Sequence, residues 1–218
     1  TFADGQDVDL TTGLTVSNSG SDNYNVVINS ATFDAAGDTN FLNGGTVTLG
    51  NTNTDALTFA GGLATTGGGT NPGTVNVAGT VNTTDTQMDL GAVTLTAAVT
   101  LDTGNAAAGI LNVGAVTSGG NALTLDSGST GGATMNLTSM VAGAGGLTIR
   151  DAGGAVTIGD VGSSSAGAVT ITDSTAGVTF SANLDATTLT ITDTEDSASV
   201  TFADGQDVDL TTGLTVSN

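Results

Sequence analysis

The sequence contains no Cys, His or Trp, and its only basic residue is Arg150. Without Cys or His there is no disulfide framework, no zinc site built on those ligands, no thiol nucleophile and no imidazole base. The 21 acidic residues give a formal net charge of −20. Electrostatic repulsion of this size excludes DNA, RNA and anionic lipid head groups as partners.

Long apolar runs are also missing. No stretch of about 18 apolar residues occurs, and no basic-then-apolar signal segment opens the sequence, so we expect no insertion into a membrane. High charge and 34 Gly are typical of disorder, yet 38% of the residues are apolar, the mean hydropathy is +0.21 and there is one Pro. The apolar residues are mostly Val, Leu and Ile in short alternating bursts, which predicts half-buried β-strands and a folded chain.

Residues 1–18 and 201–218 have the same sequence, TFADGQDVDLTTGLTVSN. This identity defines one repeat unit, residues 1–200, followed by the start of the next identical unit, residues 201–218. We expect the sequence to be a window cut from a longer tandem array, so that the polypeptide continues in both directions. An artificial overlap is the alternative.

A shorter pattern recurs inside the unit: an apolar residue, then Thr, Asn or Asp, then a second apolar residue. Between positions 99 and 147 these triplets start at a constant step, at Val99, Leu111, Leu123, Met135 and Leu147. Elsewhere the step drifts. Because side chains alternate faces along a strand, each triplet points two apolar groups one way and one polar group the other.

Strands this short bury their apolar face only by stacking on similar neighbours, with alternate triplets lying above one another. We therefore predict an all-β, right-handed parallel β-helix (β-solenoid) with about 22–24 residues and at least two strands per coil. Roughly nine coils per 200-residue unit would then span about 43 Å. Gly-Gly pairs such as Gly119-Gly120, Gly145-Gly146 and Gly153-Gly154 are expected to supply the positive φ angles of the corners.

One register prediction concerns charge. Alignment of the triplets at 99, 123 and 147 places Asp102, Asp126 and Arg150 at the same position on successive coils. The cation would then lie over a carboxylate and relieve the repulsion of a carboxylate ladder, by ~0.5 kcal/mol at an exposed site. An incidental surface Arg is the alternative interpretation.

A cluster of acids includes Asp193, Glu195, Asp196, Asp204 and the stretch 207–209. Such carboxylates could hold calcium weakly, or let calcium bridge neighbouring fibres, but no EF-hand or Gly-Asp nonapeptide spacing is present. Solvated turn residues are the favoured interpretation. The sequence therefore predicts no catalytic, cofactor-binding or metal residue, and no enzyme activity: there is no Gly-x-Ser-x-Gly elbow and no phosphate loop.

Thr-x-Thr pairs such as Thr94/Thr96 and Thr170/Thr172 resemble ice-binding surfaces, although most triplets lack the second Thr. A binding solenoid should present one continuous flat face of matching Thr or aromatic residues, whereas a spacer should show irregular faces. The uneven triplet spacing outside 99–147 favours the spacer.

Recurring pieces such as GGLTIRDAGGAVTIGDVG, GAVTITDSTAGVTF and GGNALTLDSGSTGG cover essentially the whole chain. In them the sequence resembles the β-strand-repeat regions of giant bacterial surface proteins, namely filamentous-haemagglutinin-like proteins, autotransporter passenger stalks and related adhesins. The resemblance is one of composition and period, without diagnostic residues. It implies export, surface exposure and a mechanical or adhesive role.

We therefore expect a structural module of an extracellular fibre, stalk or surface filament. Its partner would be itself, through end-to-end stacking of repeats and through lateral bundling. The alternative is an adhesive or ligand-binding solenoid that recognises a glycan, a surface or ice.

Overall fold

The computed structural model describes residues 1–18, 23–141, 145–162, 167–195 and 197–217. Regular structure in this part of the chain is entirely β-strand, because Thr, Val and Ile favour the pleated conformation and Gly recurs between many of the apolar bursts. The strands are β1 (Asp7–Leu10), β2 (Leu14–Ser17), β3 (Val26–Ile28), β4 (Thr32–Ala35), β5 (Thr39–Leu42), β6 (Thr46–Leu49), β7 (Ala56–Phe59), β8 (Leu63–Ala64), β9 (Thr74–Asn82), β10 (Met88–Leu90), β11 (Val93–Asp102), β12 (Leu111–Thr117), β13 (Leu123–Asp126), β14 (Met135–Val141), β15 (Leu147–Asp151), β16 (Val156–Val161), β17 (Val169–Ile171), β18 (Val178–Phe180), β19 (Leu184–Ile191), β20 (Val200–Phe202) and β21 (Val208–Val216).

All strand pairs are parallel and form three stacks, which we call sides 1, 2 and 3. Side 1 contains β1, β4, β7, the ends of β9 and β11, β13, β15, β17 and the ends of β19 and β21. Side 2 contains β2, β5, β8, β10, the starts of β12, β14 and β16, β18 and β20. Side 3 contains β3, β6, the starts of β9 and β11, the ends of β12, β14 and β16, and the starts of β19 and β21.

The chain visits the sides in the order 1, 2, 3 and then returns one level along the axis, which makes a parallel β-solenoid. An unbroken inward ladder on side 1 has ten rungs, namely Val8, Phe33, Leu57, Val81, Leu101, Leu125, Ile149, Ile171, Ile191 and Val216. Adjacent rungs are separated by unequal lengths of chain, shorter between Val81 and Leu101 than between Val8 and Phe33. The predicted parallel β-helix is confirmed, and Val99, Leu123 and Leu147 stack as expected.

The core consists of these inward rungs from all three sides. From Ile28 to Ile191 the apolar members of the triplets are almost wholly buried and form a single cluster. Burial of this kind stabilises the fold by about 25 cal/mol per Å² of apolar surface removed from water. Each rung is covered by the rungs above and below it, so the fold is stabilised from coil to coil along the axis.

The triplet pattern reveals side 3 in the first half of the chain, at Val47-Thr48-Leu49, Val75-Asn76-Val77 and Val93-Thr94-Leu95, but not in the coils that follow β11. In the central coils its strands contribute a single large apolar rung each, Val116, Met140 and Val161, which stack in register. A lone apolar residue makes no triplet, so counting triplets predicts at least two strands per coil where the structure has three.

Buried hydroxyl groups close the turn from side 1 to side 2. Thr83 donates its Oγ1 hydrogen to the carbonyl oxygen of Thr86 at 2.5 Å, and Thr103 does the same for Gly109 at 2.5 Å. Three coils beyond Thr103, the Oγ of Ser174 accepts from the Gly177 N–H at 3.2 Å. These groups satisfy backbone polar atoms at a corner from which water is excluded.

The Gly-Gly pairs serve the corners differently from the prediction. Both members of Gly119-Gly120 have positive φ, at 57° and 91°, as expected. Neither member of Gly145-Gly146 or Gly153-Gly154 does. There a side chain is excluded by the neighbouring coil, since a Cβ on Gly145 would lie 2.0 Å from the carbonyl oxygen of Asn121. Close approach between coils, more than backbone conformation, requires glycine at these two pairs.

Asp55 holds the loop between β6 and β7. Its buried carboxylate accepts hydrogen bonds from the Asn51 N–H at 2.7 Å, the Thr52 N–H at 3.0 Å and the Thr52 hydroxyl at 2.8 Å. Burial raises the pKa of Asp55, but these hydrogen bonds outweigh it and hold the pKa below its ordinary value of 3.8. The ionised form therefore stabilises the folded chain.

Asp55→Asn is expected to lower the free energy of unfolding at pH 7 by about 2 kcal/mol, because an amide cannot accept all three hydrogen bonds. Because the pKa of Asp55 is lower in the folded chain than the unfolded value of about 3.9, the ionised carboxylate stabilises the folded state above that pH. This stabilisation is lost as the pH falls through the folded-state pKa. Urea unfolding of the original chain and of Asp55→Asn at pH 7 and pH 3 measures this contribution. The difference between their free energies of unfolding should be smaller at pH 3. Asp4→Asn, at an exposed site, is the control; an equal loss there would contradict the role of Asp55.

Candidate functional site

Residues 1–17 and 201–217 have the same sequence but lie in different surroundings. At the C-terminal end, residues 201–217 stack on the preceding coil, with Phe202 over Phe180, Val208 over Leu184 and Leu214 over Leu189. Their other surface is open: Leu214 is 55% exposed, although it points inward.

At the N-terminal end the same residues stack on the following coil instead. Val8 pairs with Phe33, and Leu14 pairs with Thr39. Each copy of the segment therefore displays one of its two coil–coil contacts. The same sequence therefore pairs with a following coil in one copy and with a preceding coil in the other.

Phenylalanine rings concentrate around this segment. Phe180 stacks on Phe202, with ring centroids 5.3 Å apart, and Phe2 contacts Phe33 edge-on at 5.4 Å. Phe33 in turn lies 5.4 Å from Phe59. Phe2 and Phe202 are the same residue of the repeated segment, and each contacts a ring on the one neighbouring coil that its copy has. Aromatic pairs of this kind contribute about 0.5–1.5 kcal/mol each beyond the area that they bury.

Arg150 contacts the carboxylate column on side 1, as predicted, but the predicted register of Arg150 on Asp126 is wrong. Its Nε donates to Oδ2 of Asp126 at 2.5 Å, and its Nη2 contacts both Asp126 and, at 3.1 Å, Asp102 two coils away. The strand contains a bulge here, so Asp126 pairs with Asp151 and Arg150 is the extra residue. The three aspartates line an open depression of about 260 Å³.

The acid cluster is spread over the last coil. Asp193 and Glu195 follow the end of β19, and Asp204 and Asp207 lie in the connection between β20 and β21. Asp209 pairs with Asp185, outward on side 3. Asp196 lies outside the described residues. In the part of the chain that the structure describes, no group of three or more acidic, His or Cys side chains is arranged to hold a metal ion.

Three polar columns lie on the outer surface, two on side 1 and one on side 2. On side 1, threonines lie in register on seven consecutive coils, at Thr80, Thr100, Thr124, Thr148, Thr170, Thr190 and Thr215. The adjacent column on the same side is acidic or amidic through the middle of the unit, at Asn82, Asp102, Asp126 and Asp151. Side 2 carries an amide ladder, in which Asn136 donates to Asn112 and Asn112 donates to Asp89, at 2.8 and 2.6 Å.

The triplet pattern, whose middle residue is most often Thr, predicts ladders of outward threonines as well as the carboxylate column, and the register of side 1 confirms both. What the pattern did not show is that one side carries an unbroken Thr column. Triplets of sides 1 and 2 alternate along the chain, so their middle residues appear mixed as Thr, Asn and Asp. Only after each triplet is assigned to its side do the threonines separate from the asparagines. The signal is present as the equal spacing of Thr100, Thr124 and Thr148.

The chain matches no known protein family, no curated protein and no solved structure. Among the described residues there is no helix long and apolar enough to cross a membrane.

Proposed function

We propose that the chain is a structural module of an extracellular fibre, stalk or surface filament, in which tandem 200-residue units form one continuous solenoid without catalysis. The observation that carries the proposal is the repeated segment, whose two copies present the contact to the preceding coil and the contact to the following coil. A segment that accepts both neighbours can stand between two units.

The mechanism is mechanical. Every coil pairs its backbone with the coils before and after it, so unpaired strand edges occur only where the array ends. In the proposed array Phe2 and Phe202 are equivalent, so the ring contacts at the two ends would join into a run of four phenylalanines at each junction. The excess of 21 acidic residues over one Arg supports a role as a soluble rod whose surface repels its neighbours. The resemblance to giant bacterial surface proteins supports a location outside the cell.

A two-unit chain, in which residues 19–218 follow Asn218 once more, tests the proposal. Small-angle scattering is expected to show a rod longer by about 42 Å than the present chain, since each coil adds about 4.8 Å. Two globules joined by a flexible segment, or a particle that grows in width, would overturn the proposal.

Leu214→Ala distinguishes an array from a chain end. In the present chain Leu214 is 55% exposed, so the substitution is expected to lower the free energy of unfolding by only ~0.5 kcal/mol. In the two-unit chain the same side chain is covered from both directions, and the loss should rise to about 2 kcal/mol. Thr215→Ala, on the outward side of the same strand, is the matched control. Equal losses from Leu214→Ala in the two chains, measured by urea unfolding, would contradict a covered junction.

A second candidate function, adhesion through the Thr column of side 1, is favoured by one observation: seven threonines lie in register at the spacing of the coils. Regular hydroxyls of this kind can match an ordered surface such as ice or a glycan lattice. Thermal hysteresis of the chain in ice suspensions tests the ice case. Activity that is lost in Thr124→Lys but kept in Asn136→Lys, on side 2, would support it, and no hysteresis at millimolar concentration would dismiss it.

A further inference from the structure

The repeated segment occupies different sides of the solenoid at the two ends. Val8 lies on side 1, where it pairs with Phe33, whereas its equivalent Val208 lies on side 3, where it pairs with Leu184. Leu14 lies on side 2, and its equivalent Leu214 lies on side 1. Both strands of the segment have therefore moved by one side in the same direction.

Counting rungs explains the shift. From Val8 the side 1 ladder reaches Ile191 after eight full coils. The chain then crosses side 2 in β20 and arrives at Val208 on side 3. One 200-residue unit thus contains eight and two-thirds coils, and at about 4.8 Å per coil it advances about 42 Å along the axis.

We propose that successive units of the array are rotated by one third of a turn about the fibre axis, so that the units form a three-fold screw. The same outer surface then returns to the same side only with every third unit, after 26 coils or about 125 Å. This inference rests on the proposed tandem fibre, and adds the rotation of each unit relative to the one before it, which we call the phase.

The screw changes what each side of the fibre presents. The Thr column of side 1 ends with Thr215, which is equivalent to Thr15. The rungs that follow Thr15 in register are Asn40, Ala64 and Asp89. Along one side of the array the Thr column is therefore replaced at the junction by the column that belongs to side 2 within a unit.

This phase limits contact between fibres. Consider two parallel rods whose facing surfaces fit together over the length of one unit. Over the next unit a different pair of surfaces is in contact, so a favourable lateral contact is interrupted after about 42 Å. It also distributes any ligand-binding surface of a unit around the rod, in three directions. A long continuous Thr face, which an extended ice-binding fibre would need, is excluded by the same geometry.

A three-unit chain carrying Thr157→Cys in every unit tests the proposal. Thr157 is exposed on side 2, and the sequence has no other Cys, so a maleimide-linked gold cluster reports the direction of that side in each unit. In cryo-electron tomograms, successive clusters are expected to lie about 42 Å apart along the rod and one third of a turn apart around it.

Asp160→Cys, exposed at the next side of the same coil, provides a second set of labels. Its clusters should show the same rotation from unit to unit, offset by one side from those at Thr157. Clusters that lie along one side of a straight rod, at either position, would overturn the screw and leave the fibre proposal intact. Particles that form no continuous rod would overturn both.

Discussion

Leu101→Asp is expected to lower the free energy of unfolding by at least about 5 kcal/mol. Leu101 is completely buried in the side 1 ladder, between Val81 and Leu125. A carboxylate there would be removed from water without a cation, which costs several kcal/mol even after relaxation. The loss is comparable with the whole stability of many domains.

The way in which the variant unfolds is as informative as the size of the loss. In a stack where each coil contacts only its neighbours, a defect in one coil uncouples the coils on its two sides. We expect urea unfolding to change from one transition to two, and limited proteolysis to begin near residue 101. Thr100→Asp adds the same charge one residue away, on the outward face, and should change stability by less than about 1 kcal/mol. A Leu101→Asp variant as stable as this control would contradict an aliphatic interior.

The sequence predicted which triplets stack on one another, because the alternation and spacing of apolar residues can be read directly from the chain. Val99, Leu123 and Leu147 have identical patterns at an identical spacing, so their superposition needs no information from elsewhere in the chain. The same reasoning predicted that Asp102 and Asp126 lie one above the other, which the strand register confirms.

The phase between repeat and coil could not be predicted in this way. It depends on the total number of sides between Val8 and Val208, and side 3 is almost invisible where it contributes only Met140 or Val161 to the core. Coils also vary in length, because turns of different length close the same cross-section. Dividing the 200 residues of the unit by an average coil length gives roughly nine coils. The structure has eight and two-thirds, and this difference of one third of a coil determines the rotation between units.

The bulge at Arg150 is a second feature beyond the reach of spacing. Repeating the exact interval between Asp102 and Asp126 places Arg150 on Asp126, but the structure pairs Asp151 with Asp126 and inserts Arg150 as an extra residue. The bulged strand directs the guanidinium back along the axis, where it reaches two carboxylates. Nothing in the spacing indicates that Asp126 is only 5% exposed.

Arg150→Met is consequently expected to lower the free energy of unfolding by about 3 kcal/mol, several times the value that an exposed pair would give. Removing the guanidinium leaves the buried carboxylate of Asp126 without its cation, while Asp102 and Asp151 lie directly before and after it in the column. Breaking a buried pair typically costs about 3–5 kcal/mol. The low end applies because the Arg150 side chain is 43% exposed and solvent screens part of the interaction.

A double-mutant cycle with Asp126→Asn separates the ion pair from the packing of the Arg side chain. In the Asp126→Asn background the neutral amide no longer needs a cation, so Arg150→Met should then cost less than about 1 kcal/mol, and the coupling energy should be about 2 kcal/mol. Arg150→Lys retains the charge but not the fork that spans two carboxylates, and an intermediate loss is expected. Additive losses in the cycle, measured by urea unfolding at low salt, would show that the carboxylate column is stable without its cation and that Arg150 acts only through packing.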